Sequence, residues 1–101
     1  MLEIIHQLHD LSKQILSAAT QDHWPEVDAL QLKREQLTAQ AESLPVPIKP
    51  AAAEQLKQII LEIQAIDAQV QPLLETHRQA LIDEKLQQNK GQRMAQAYQT
   101  P

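Results

Sequence analysis

The 101-residue chain has no cysteine and no phenylalanine, and only one glycine, one tryptophan and one tyrosine. Without cysteine there is no disulfide framework, no thiolate nucleophile and no cysteine-based zinc site, which agrees with a reducing compartment. A single glycine, with six prolines gathered in a few places, leaves the chain without the turn residues that an all-β protein needs about every ten residues. No apolar run approaches the ~20 residues of a membrane span. The opening Met1-Leu2-Glu3-Ile4-Ile5-His6 lacks the basic stretch and sustained apolar run of a secretory signal, so the expected location is cytoplasmic.

What remains is a helix-forming composition. The hydrophobic fraction of 43% comes almost wholly from Leu, Ile, Val and Ala, and a chain of this length supports one modest core. The formal charge of −4, with a pI near 5.4, disfavours diffuse attraction to nucleic acid or to an anionic membrane. Charge is unevenly placed. Residues 1–84 hold 6 Lys and Arg against all 13 acids, a balance of −7, whereas residues 85–101 hold Lys85, Lys90 and Arg93 against none.

Hydrophobic spacing predicts three helices. Ile4, Ile5, Leu8, Leu11, Ile15, Leu16 and Ala19 recur at three- and four-residue steps through about 2–20, with Glu3, Gln7, Asp10, Lys13, Gln14 and Ser17 opposite. Thr20 to Glu26 then breaks the pattern, and Asp22 followed by Pro25 suits a helix start. The second helix, about 25–44, carries a narrower stripe of Val27, Leu30, Leu37, Ala41 and Leu44, interrupted by Arg34; Trp24 is expected to fold onto its base. Pro45, Pro47 and Pro50 make a stiff extended connector, and Pro50 suits the first turn of the next helix.

The third helix, about 51–86, has an apolar face from Leu56 to Leu86 wide enough to touch two neighbours. Pro72 inside it deletes a ladder bond at a cost of about 3 kcal/mol, so a kink or a split is expected there. Short connections give an all-α, antiparallel bundle of three helices over residues 1–86. A basic C-terminal extension follows over 87–101, helical in part or disordered.

No constellation of catalytic residues emerges. His6 and His9 stand one turn apart beside Asp10, with His23 and His77 elsewhere, but such pairs arise easily in a helical chain and no metal or other cofactor is assigned. A small all-α enzyme binding a dianion, as chorismate mutases do, needs several cations converging on the bundle interior. The first helix offers only Lys13 and the second only Lys33 and Arg34. With no phosphate-cradling loop and no nucleophile–base spacing, the chain is not expected to be an enzyme. Three sparse basic residues with Tyr98 as their one stacking group do not make a nucleic-acid surface.

The polar residues on the apolar seam are more informative. Asp67 lies between Ile63, Val70 and Leu74, where it either pairs with Arg34 and sets helix register or snorkels to the edge. His77 on the same seam is expected to be a satisfied interior histidine. A groove lined by Ile59, Ile63, Ile66, Val70 and Leu73 is the candidate partner site, suited to an amphipathic helix. The same face serves equally as an internal seam or as a homodimer interface. Lys90, Arg93, Met94 and Tyr98 form a candidate regulatory tail that covers that groove in the free state.

Asp22 and Trp24 before a second helix bearing Arg34, a Pro-rich linker, Ile66-Asp67 in mid-helix, and the ending LQQNKGQRMAQAY with Gly91, Arg93 and Tyr98 together resemble the FliT-like flagellar export chaperones. The resemblance covers nearly the whole chain, and Pro72, His77 and Arg78 depart from it. It implies a cytoplasmic, non-enzymatic chaperone of type III export. Such a chaperone binds the filament-cap protein FliD, prevents its premature assembly and delivers it to the export apparatus, its C-terminal helix able to cover the binding groove. Some members also restrain the regulator FlhDC. The alternative is a generic helical adaptor acting through homodimerisation.

Overall fold

The computed structural model describes the backbone of residues 1–99 and the side chains through Gly91. All regular structure among the described residues is helical: α1 is Leu2–Thr20, α2 is Trp24–Glu42 and α3 is Pro50–Gln99. Two compact units divide the chain, Met1–Gln71 and Pro72–Pro101.

In the first unit, α1 buries Ile5, Leu8, Leu11, Ser12, Ile15, Ala18 and Ala19, the stripe expected of an amphipathic helix. Ser12 is wholly buried. It is accommodated because its hydroxyl donates to the Leu8 carbonyl at 2.9 Å, leaving no polar atom unpaired. From α3, Leu56, Ile59 and Ile63 close on Ile5 and Leu8, with Leu37 of α2 packed against the same cluster. The first part of α3 therefore touches both other helices, and the three run up, down and up.

The turn between α1 and α2 solves a problem created by the shortage of glycine. Asp22 takes a positive φ of 60°, with its N–H donating to the Ala19 carbonyl at 3.2 Å and the His23 N–H donating to that of Ala18 at 2.8 Å. This is the Schellman arrangement that satisfies the last carbonyls of a helix, with an aspartate where glycine is usual. Asp22 thus ends α1 and does not cap α2 as expected, since His23 precedes that helix and makes no side-chain cap bond. Pro25 sits in the first turn of α2, where its missing N–H costs nothing.

The helix α2 is weakly amphipathic, burying only Val27 and Leu30. It ends two residues before the expected Leu44, at Glu42, because Pro45 disfavours helical geometry at the residue before it.

Pro72 stands inside α3 and does not split it. One deleted bond in so long a ladder is tolerated because its flanking turns remain intact. The helix also passes the expected end at Leu86 and continues to Gln99. Gln, Lys, Met and Ala favour helix there, and Gly91 opposes it by only about 1 kcal/mol. In the second unit, Leu73, Leu74 and His77 are half-buried and residues 78–91 are exposed.

Two stability predictions follow from these contacts. Asp22→Gly should stabilise the chain by about 1 kcal/mol and Asp22→Val should destabilise it by a comparable amount, read from urea midpoints. Ile15, 1% exposed, should cost about 2–5 kcal/mol when changed to Ala, measured in the same melts.

Candidate functional site

The strongest polar contact between helices joins α2 to α3. Arg34 Nη1 donates to Asp67 Oδ1 and Arg34 Nη2 to Asp67 Oδ2, both at 2.6 Å. Two parallel bonds from a planar guanidinium fix distance and orientation together, which a lysine cannot do. The side chains are 29% and 31% exposed, so the pair is half-dry and its remaining valences reach water. Of the two sequence readings for these residues, pairing is the one observed. Its position explains why Arg34 interrupts the apolar stripe of α2.

A cleft of about 290 Å³ lies beside this pair, with Ile5 and Leu8 from α1, Thr38 from α2, and Ile60, Ile63 and Gln64 from α3 completing its walls. It combines an apolar floor with one ion pair and contains no arrangement for covalent chemistry. On the α1–α2 side, a shallow groove of about 390 Å³ is lined by Leu11 and Leu37 among glutamines and the charges Asp10 and Lys33. A second cross-helix contact places His9 Nε2 3.3 Å from Glu62 Oε2.

His9 is thus turned toward α3, while His6 is exposed. No group of three or more His, Asp or Glu residues is placed to hold a metal among the described residues.

The expected partner groove is largely internal. Ile59 and Ile63 belong to the cluster with Ile5, Leu8 and Leu56, and Val70 is buried as well. Ile66 and Leu73 are half-buried. A partner reaches Ile59, Ile63 and Val70 only by displacing part of the first unit. Lys90, of the candidate tail, is exposed; the side chains of Arg93, Met94 and Tyr98 lie outside the described residues.

The open apolar side chains of α3 are others. Ile60 and Leu61 are exposed in the first unit, and Leu81, Ile82 and Leu86 in the second. Helical spacing alone placed the last three on the buried face. A signal against that was present, because Arg78 and Lys85 lie one turn either side of Leu81 and Ile82 and break the stripe.

The family model described as "Flagellar protein FliT" matches residues 2–100, nearly the whole chain. The chain belongs to the FliT family. No curated protein and no solved structure gives a significant match. FliT is a family of flagellar proteins, known as export chaperones and not as enzymes. No helix of the FliT-family chain is long and apolar enough among the described residues to cross a membrane.

A double-mutant cycle of Arg34→Ala and Asp67→Ala should give a coupling on the order of 1 kcal/mol in chemical denaturation, smaller at high salt. Arg34→Lys should keep less than half of it, because the second bond is lost.

Proposed function

We propose that this FliT-family chain binds the filament-cap protein FliD in the cytoplasm, prevents its premature assembly and presents it to the export apparatus. The partner surface is placed on the outward apolar side chains of α3. The carrying observation is the exposure of Leu81, Ile82 and Leu86, three large aliphatic residues on two adjacent turns with between 46% and 61% of their surface open.

Family membership supports a protein partner for such a surface. A lone helix gains little from its own backbone in water, so an apolar band on it favours association. Covering the exposed halves of three such side chains contributes a few kcal/mol, at ~25 cal/mol per Å². An amphipathic helix of FliD is the matching shape. Ile59, Ile63, Ile66, Val70 and Leu73 join the interface if FliD exchanges with part of the chain. Because α3 runs on to Gln99, the segment from Lys90 to Tyr98 competes for that surface only in molecules where it has left the helix, and apparent affinity falls by the fraction so closed.

The test is co-purification of the full-length chain with the C-terminal segment of FliD from the same organism, followed by light scattering. A complex of defined stoichiometry is expected. Leu81→Glu together with Ile82→Glu should weaken it at least about tenfold without lowering the melting temperature, since both side chains are exposed in the free chain. Failure of the folded protein to bind overturns the FliD assignment and leaves a helical adaptor acting through homodimerisation, which the same light-scattering run reports. A chain ending at Leu86 should bind FliD more tightly, and unchanged affinity removes the covering role of the tail.

A further inference from the structure

The open aliphatic side chains of the second unit share their side of α3 with cations. Arg78 lies three residues before Leu81 and four before Ile82, and Lys85 lies four after Leu81 and three after Ile82. Residues three and four apart are neighbours on a helix surface. Both cations therefore stand between the line of Leu81 and that of Ile82 and Leu86, and Lys90, four beyond Leu86, continues the series. All of these side chains are exposed.

The acids nearby are engaged or turned elsewhere. Glu75 Oε1 stands 3.0 Å from Arg78 Nη1, but the pair is 67% and 69% exposed, so water screens it and another carboxylate replaces Glu75 at little cost. Asp83 accepts a hydrogen bond from Gln79 Nε2 at 3.1 Å. Asp83 and Glu84 follow Ile82 by one and two residues, offsets that do not face each other on a helix. Lys85 and Lys90 make no ion pair among the described residues. This face is locally positive on a chain whose formal charge is −4.

We infer that the partner segment for this face is an acidic amphipathic helix, with aliphatic residues covering Leu81, Ile82 and Leu86 and carboxylates meeting Arg78 and Lys85. Side chains grouped at one-turn spacing are matched by a second helix, whose own side chains repeat at the same pitch. Covering Lys85 with apolar or basic surface leaves a desolvated, unpaired charge, so the cations reject other helices as well as attracting acidic ones. An anionic membrane is a poorer match, because a helix lying on lipid needs a broad apolar face with its cations on the opposite side. Here cations divide the aliphatic residues. The inference rests on the partner surface placed on α3 above, and not on FliD being the partner.

The test uses two synthetic amphipathic helical peptides with the same leucine face, one flanked by glutamate and the other by lysine. Each is titrated against the folded full-length chain by fluorescence anisotropy at low and at high salt. The glutamate peptide should bind at least about tenfold more tightly at low salt, with the advantage shrinking as salt rises. The net charge of the chain taken alone favours the opposite order. Arg78→Gln with Lys85→Gln should abolish the preference and, at exposed positions, leave the melting temperature unchanged. Lys13→Gln with Lys33→Gln removes as much charge from exposed sites of the first unit and should keep it. Equal binding of the two peptides, binding of neither, tighter binding of the lysine peptide, or a preference indifferent to Arg78 and Lys85 overturns the inference. Sedimentation with phosphatidylglycerol vesicles in place of either peptide overturns it in favour of a lipid surface. A glutamate preference in a chain that ignores the FliD segment overturns the FliD assignment alone and upholds this one.

Discussion

The bidentate contact between Arg34 and Asp67 sets the constraint on which the first unit depends. Aliphatic side chains alone let one helix slide along another with modest loss, because many registers bury similar area. A planar guanidinium on a carboxylate tolerates little displacement. With α3 held at that height on α2, Leu56, Ile59 and Ile63 meet Ile5 and Leu8 of α1, while Ile60 and Leu61 turn outward. The pair contributes little net stability in a half-exposed site; its consequence lies in which face of α3 is inside. Removal of one partner therefore bears on register as well as on charge.

For the function proposed above, the division of α3's aliphatic residues between core and surface is the deciding question. Buried residues support the bundle, and open ones are available without rearrangement. In the first unit that division follows the register just described. In the second, leucines and isoleucine on consecutive turns remain open, and charged residues beside them keep the band narrow. A narrow band flanked by charge limits nonspecific association while leaving enough apolar area for an amphipathic partner.

Helix count and the breaks near Asp22 and at the proline connector were legible from residue spacing, and the Arg34–Asp67 pair was one of two readings that spacing left open. Each is a local or near-local property: amphipathic period, the missing amide of proline, and an unlike charge at a seam position. Spacing misled where the outcome depended on neighbours. The end of α3 at Gln99 reflects cooperative propagation through a stretch of good helix formers after the apolar pattern had faded. The left-handed Asp22 ends α1, although aspartate before Pro25 reads more naturally as a start signal for α2.

The sequence by itself determined an all-helical chain with a basic C-terminal segment, because composition, proline placement and charge need no tertiary information. Only the tertiary structure decided which of the many Leu and Ile residues of α3 are core. A helix displays apolar residues at similar angles whether or not another helix covers them, and burial depends on where the partner helices end. Ile59, Ile63 and Val70 became interior because α1 and α2 extend alongside the first half of α3. Val46 and Ile48 stayed open because prolines hold the connector out of both flanking helices.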